Sequence, residues 1–278
     1  MHHVSVKGKR RMEKKKCELR TMTWKEIEKA FEGNPVILIP LGSMEEHGPH
    51  SVVGDYVAAD QVARSVAEKT GAYAAPVIPF GYSEYFRSYP GTISFSPETF
   101  FMVIRDMCTS LMEHGITKIL FVNGHGGNSA LIEMLGRKLR REKKVMIGKY
   151  DIWQTMTPEM KKELYGEKVG QAMGHGGEPV TSVMHYLNPE NMRMDLAGTD
   201  DRERSWQEFE MSTVGKTRIL GTEAMIYFDM SDMTERGCLA DPNIGDGEKG
   251  KIIFERMVEV GVDFVRRMEK TNMTDLPR

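Results

Sequence analysis

The sequence lacks the features that mark membrane and secreted chains. It contains no run of about 18 apolar residues, the length a helix needs to cross a bilayer. Its N-terminus has no apolar stretch of the secretory kind. The three cysteines, Cys17, Cys108 and Cys238, are odd in number, far apart and without CxxC spacing. Such a set excludes a disulfide framework and suits a reducing, cytoplasmic setting. Repeats, low-complexity tracts and linkers are missing as well. Only four Gln stand among abundant Lys and Glu, a trend of heat-adapted proteins that the 22 Met oppose.

What is present describes a globular chain. At 278 residues, 40% hydrophobic and 28% charged, it can bury a substantial core without staples. The net charge of −2 is unevenly spread. Residues 1–20 carry eight Lys and Arg against Glu13 and Glu18, which leaves −8 on the other 258 residues. The basic segment reads as a solvated extension, or as residues ahead of a start at Met12, more readily than as a nucleic-acid arm, because the acidic body offers no broad basic face. The expected organisation is a basic extension over 1–20 and one α/β domain over 21–278. Neither nucleic acid nor membrane is expected as a partner.

Short apolar runs alternate with helical periodicity. Residues 35–41, 118–122 and 145–150 have strand length, and 72–79 is a poorer candidate broken by prolines. Runs that are apolar throughout suit parallel strands covered on both faces. Helices are expected over 24–31, 57–69, 97–114, 129–141 and 248–270, with Ser96 as N-cap and Pro97 at the first helical position of the third. This alternation predicts a layered α/β fold with a mostly parallel central sheet flanked by helices. The stretch 190–236 is polar and poorly periodic, and reads as an excursion from the same domain.

Ligands in open α/β sheets collect beyond the carboxyl ends of the strands. There the sequence runs Gly42-Ser-Met-Glu-Glu-His-Gly-Pro-His50, then Gly54-Asp55, then Asn123-Gly-His-Gly-Gly-Asn128, and later Gly174-His-Gly-Gly-Glu178. Each has a bland reading. Glu45-Glu46-His47 suits a solvated turn, and the 123–128 loop suits a phosphate cradle, although it lacks GxGxxG and GxxxxGK[ST]. His175 and Glu178 share a face of a helical turn, a spacing that chance also supplies. Three such clusters of imidazole and carboxylate at one sheet edge point to a divalent metal site.

In combination, these motifs resemble the creatininase (creatinine amidohydrolase) family of metal-dependent hydrolases. Tyr89-Pro-Gly-Thr92, Asp241-Pro242 and Glu248-Lys-Gly250 agree with it, so the likeness runs in order over roughly 20–270. The resemblance implies a site for two divalent ions, Zn²⁺, Mn²⁺ or Fe²⁺. Glu45 and His125 would serve one ion and His47 the other, with Asp55 bridging both. His175 matches the family's catalytic histidine, which shuttles the proton. The resemblance further implies a homo-oligomer, a hexamer. Two ions about 3.5–4 Å apart lower the pKa of a shared water and polarise a carbonyl oxygen.

Several positions depart from the family pattern. The spacing from Glu45 to Asp55 is one residue short, resolved here as a deletion within 51–54 with Asp60 as the fallback ligand. A carboxylate two residues after the histidine of the second motif is replaced by Gly127, and Glu178 is expected to compensate as a ligand. Tyr85-Phe86 stands where relatives carry a histidine, and Val180 where they carry an acid. Family members open a cyclic amide, deformylate a nucleotide precursor, trim a short peptide or open an inositol-derived cyclic diketone. The motif loops supply only Arg87 for a phosphate, which favours a small neutral substrate. Tyr82, Ser83, Tyr85 and Arg87 could bind its hydroxyls, unless the tyrosines merely pack. The expected reaction is therefore hydrolysis of a polyhydroxylated cyclic diketone at a C–C bond, with the cyclic amide close behind. A non-catalytic metal-dependent binder and a phosphate-ester or nucleotide-binding protein are the alternatives from other classes. Trp153 and the Met-rich stretch after it are the expected lid.

Overall fold

The computed structural model describes residues 16–200 and 204–277. Most of the basic extension therefore lies outside the described residues. Chain order begins α1 (Trp24–Phe31), β1 (Ile37–Leu41), α2 (Tyr56–Lys69), β2 (Tyr73–Ala74), α3 (Pro97–Glu113), β3 (Ile119–Asn123), α4 (Ser129–Glu142) and β4 (Gly148–Asp151). It continues through α5 (Pro158–Tyr165), α6 (Val169–Ala172) and α7 (Val180–Leu187) to β5 (Ser205–Trp206), β6 (Phe209–Glu210), β7 (Lys216–Ile219) and β8 (Thr222–Met225). It closes with α8 (Met230–Met233) and α9 (Gly247–Glu269). Among the described residues no helix is long and apolar enough to cross a membrane.

The helix starts follow local chemistry. Thr23 and Glu26 form a reciprocal capping box on α1. Ser96 accepts from the Thr99 amide at 3.2 Å ahead of Pro97, as expected for α3. Asp246 accepts from the Lys249 amide at 2.8 Å and starts α9.

The central sheet has the order β2-β1-β3-β4 and is parallel throughout. β2 is only two residues long. The prolines at 76 and 79 have no amide hydrogen for the ladder, so pairing beyond Ala74 shrinks to a bridge between Leu41 and Ile78. Alternate residues of β1 and β3 enter two separate cores. Leu38, Leu120 and Val122 pack with α2, α7 and α9, while Ile37, Ile39, Ile119 and Phe121 pack with α3 and α4. Each fully buried Leu, Ile or Phe contributes about 1.5–3 kcal/mol. The α7–α9 crossing is close because Gly250 has no side chain: a Cβ there would lie 1.9 Å from the Ser182 carbonyl oxygen.

Register decides where function gathers. Leu41 pairs with Asn123, and Asn123 with Asp151, so three strands end on one rung. The loops that follow them emerge side by side.

The 190–236 stretch is more ordered than its sequence suggests. It holds the hairpins β5–β6 and β7–β8 and a small core of Met211, Phe228 and Met233. The β7–β8 turn is Leu220-Gly221, both at positive φ. That is two-residue hairpin geometry made without the usual Asn-Gly signal, which is why the sequence reading passed over it.

All three cysteines are thiols. Burial pushes the Cys108 and Cys238 thiols up to about 12, the latter with help from Glu46. An aromatic disulfide reagent is therefore expected to titrate one thiol, Cys17, in the folded protein and all three after denaturation. Rapid reaction of two or more in the native state would contradict the buried positions.

Candidate metal centre

The loop after β1 curls back on itself when the Ser43 amide donates to Asp55 Oδ1 at 2.6 Å. This brings Asp55 beside Glu45 and His47, all buried. The loop after β3 adds His125. Its Nδ1 lies 2.8 Å from Glu45 Oε2 and 3.3 Å from Asp55 Oδ2. On the other side, His47 Nε2 lies 3.5 Å from Glu45 Oε1. The donor atoms form two groups, Glu45–Asp55–His125 and Glu45–His47–His175, each within 4.8 Å. Glu45 belongs to both, whereas the family resemblance had cast Asp55 as the bridge.

The histidines are oriented from outside the groups. His125 Nε2–H donates to the Tyr82 carbonyl oxygen at 2.8 Å, which turns Nδ1 toward the two carboxylates. His175 Nε2–H donates to both Glu46 Oε1 and the Glu46 carbonyl oxygen, each at 2.9 Å. Its ring stacks between Phe86 at 4.3 Å and His47 at 4.9 Å.

Electrostatics follow from this crowding. Burial works to raise the Glu45 carboxyl, but the His125 charge and hydrogen bond, with His47 and His175 behind them, hold it below the usual range. Asp55 is pushed up by burial and then by the Glu45 charge. His47 is pulled down by burial and by His175, and its Nδ1 has no hydrogen-bond partner. His125 rises well above the ordinary range: burial opposes this, and the Glu45 charge leads the groups that override it. Two buried carboxylates this close together are costly unless positive charge joins them. An oxygen-and-imidazole donor set of this kind fits Zn²⁺, Mn²⁺ or Fe²⁺.

Glu178 lines the same cavity but stands outside both groups. The Tyr165 hydroxyl donates to Oε2 and the Ser182 amide to Oε1, the latter at 3.2 Å. Both donors are neutral, so burial raises this carboxyl. Gly127 has no room for a carboxylate: a Cβ would lie 2.2 Å from the Tyr82 carbonyl oxygen. Asp60 is engaged elsewhere, 3.7 Å from Arg20 and 3.8 Å from Arg64.

The residues read as substrate binders separate. Tyr82 and Tyr85 line the cavity, with the Tyr85 hydroxyl 3.4 Å from His125 Nε2. Ser83 is buried behind it, donating to Glu45 Oε2 at 2.6 Å. Arg87 is exposed and paired with Glu84 at 2.9 Å. Trp153 lines the cavity and is tethered through Nε1–H to the Gly124 carbonyl oxygen. The cavity measures about 810 Å³, and much of its wall comes from Val214, Met225, Tyr227 and Phe228 around the β7–β8 hairpin. No motif announced that wall. Glu46 and Phe86 were also missed, although Glu46 sits inside the first motif.

Comparison with known proteins agrees with this geometry. The family described as Creatininase, creatinine amidohydrolase, matches residues 20–265. A creatinine amidohydrolase of Pseudomonas putida is 29% identical over 262 residues, 88% of this chain and 94% of that protein. A mycofactocin precursor peptide peptidase of Mycolicibacterium smegmatis is 28% identical over 244 residues, 84% of this chain and 86% of that protein. A 3-dehydro-scyllo-inosose hydrolase of Thermotoga maritima is 35% identical over 108 residues, 38% of this chain and 35% of that protein. A variant creatininase complexed with creatine superposes with a TM-score of 0.76 and 25% identity, covering 92% of this chain and 100% of the other. A Zn-Zn type creatininase variant and an Mn form give TM-scores of 0.74 and 0.75, each at 25% identity over 91% of this chain and 98% of theirs.

If the cluster is built for cations, ligand linkage stabilises the fold by about 2.7 kcal/mol at a hundredfold excess over Kd. Adding Mn²⁺ or Zn²⁺ to chelator-treated protein is expected to raise the thermal midpoint by about 5 °C or more. Glu45→Gln should abolish the rise. An unchanged midpoint in the parent protein would contradict the donor assignment.

Proposed function

The chain belongs to the creatininase family, whose members are metal-dependent hydrolases, and on that premise we propose that it cleaves a carbon–nitrogen amide bond in a small substrate bearing an apolar part. The observation that carries this reading is the Glu45 carboxylate, common to two donor groups at the floor of a largely apolar cavity. Glu45, Asp55 and His125 would hold one divalent ion, and His47 with Glu45 and Glu178 the second. Glu178 earns its place as a buried carboxylate with only neutral partners. When bound, such ions lower the pKa of a water molecule and polarise a carbonyl oxygen.

The chain's own residues supply the remaining chemistry. With Nε2–H engaged by Glu46, His175 keeps Nδ1 for the reaction: it takes a proton there and delivers it to the leaving nitrogen. About 810 Å³ lies within the range for drug-sized ligands, roughly 300–1,000 Å³, and exceeds what a small ring alone would fill. A phosphorylated substrate is disfavoured. Lys216 is the one Lys or Arg among the lining residues, and it pairs with Glu223 at 2.7 Å.

The second reading is C–C hydrolysis of a polyhydroxylated cyclic diketone, favoured by the 35% identity to the inosose hydrolase over 108 residues. It is weaker because Ser83 and Arg87 do not line the cavity. The proposal extends to a single hydrolytic domain over 21–278 that acts in the cytoplasm as a homo-oligomer, a hexamer by family resemblance. The exposed side chains of Leu220, in the β7–β8 turn, and Tyr227 support assembly.

Incubating the metal-loaded protein with N-acyl amides, short peptides, creatinine and the cyclic diketone tests the reading. Release of amine from at least one amide, with the diketone untouched, is expected; the reverse would transfer the proposal to C–C cleavage. His125→Ala should lose metal and activity together. His175→Ala should keep metal and lose about 10²–10⁴-fold in turnover, and equal metal loss in both would remove His175 from proton transfer. Glu178→Gln should drop bound metal from about two ions to about one; full occupancy would remove Glu178 from the ligand set.

A further inference from the structure

The donor groups account for Glu45, His47, Asp55 and His125, but not for the carboxylate between them in sequence. Glu46 is buried, 6% exposed, and belongs to neither group. Its Oε1 accepts from His175 Nε2–H at 2.9 Å. Its Oε2 accepts from the Gly48 amide at 2.8 Å, which fixes the plane of the carboxylate. A third segment closes the arrangement from behind. Gly237, at φ +68°, packs so tightly that a Cβ there would lie 1.9 Å from Glu46 Oε2. Two residues on, the Leu239 amide donates to the His175 carbonyl oxygen at 2.8 Å.

Glu46 is thus gripped by the first loop and the 237–239 segment, and among the described residues its side-chain hydrogen-bond partner is His175. With Phe86 and His47 stacked on the two faces of that ring, rotation about its axis is the motion left to restrain. We propose that Glu46 is a positioning residue that fixes the orientation of His175, holding the hydrogen on Nε2 and presenting Nδ1 to the cavity. This rests on the reading of His175 as the proton carrier. It makes Glu46 distinct from its neighbours Glu45 and His47, which face the metal groups.

The experiment compares Glu46→Ala and the isosteric Glu46→Gln with the parent protein. Outer partners of this kind are worth about 10–100-fold. Glu46→Ala should lower kcat by that factor with KM and metal content held within about twofold, the pattern of a lost orientation rather than a lost ligand. Long-range ¹H–¹⁵N spectra of the metal-free protein, with His175 assigned through His175→Gln, provide a readout independent of turnover. The parent should show hydrogen on Nε2 only, and Glu46→Ala a mixture of the two ring forms. Glu46→Gln, which keeps an acceptor oxygen for Nε2–H, should retain most of the kcat and the Nε2–H ring form; if Glu46→Ala does not fold, Glu46→Leu keeps comparable side-chain volume without an acceptor and is read in the same way. An unchanged imidazole spectrum in the variant without an acceptor, or a metal loss that accounts for the drop in kcat, overturns the proposal. A spectrum that shifts as expected in a protein that cleaves no amide supports the positioning role and overturns the amide reading alone.

Discussion

Placing a carboxylate at the bottom of a folded protein is costly unless polar or positive groups meet its oxygens, and that requirement on Glu45 organises the site. One of its oxygens faces His125, the other His47. Both partners must therefore arrive on loops whose positions are fixed to within an ångström or so. The parallel register of β1 and β3 meets this need by ending both strands on one rung, Leu41 beside Asn123. Two cores hold the register, one on each face of the sheet. Local hydrogen bonds finish the work. The Ser43 amide draws Asp55 in, and the Tyr82 carbonyl turns the His125 ring so that Nδ1 faces inward.

The same need separates two kinds of polar residue around the centre. Glu45, Asp55, His47 and His125 crowd one another, so their ionisation is mutually perturbed and a multivalent cation relieves the crowding. Ser83, Tyr165 and Ser182 are neutral donors that hold carboxylates in place without neutralising them. Beyond this polar floor the wall is apolar and comes from the β7–β8 region rather than from the sheet. The floor thus belongs to the α/β scaffold, and much of the apolar wall to a short antiparallel hairpin carried on a long excursion.

That division explains what was legible in the sequence. Strands and helices with clear periodicity stand within a few residues of their expected places, because burial on both faces leaves an unbroken apolar run and capping residues mark the helix starts. Glu45, His47, Asp55 and His125 were legible because they occupy Gly-rich loops at strand ends. Asp55, expected as a ligand on the reading of a one-residue deletion, enters a donor group, and the fallback Asp60 pairs with arginines instead. That Glu45 is common to both donor groups was not legible, because it depends on side-chain direction, which spacing does not encode. Ser83 and Arg87, expected to bind substrate, do not line the cavity that Tyr82 and Tyr85 line, since neighbours in a loop can point to opposite sides. The hairpin wall escaped because its turn uses Leu220 at positive φ, and the role of Glu46 because its partner His175 lies far along the chain.

Metal content per chain, measured by elemental analysis of protein purified without chelator, tests the central claim most directly. The account predicts about two divalent ions for each chain, restored after chelation by Mn²⁺ or Zn²⁺. No bound metal, even after either ion is supplied, would contradict it and leave Glu45 and its neighbours as a buried polar cluster without hydrolytic purpose.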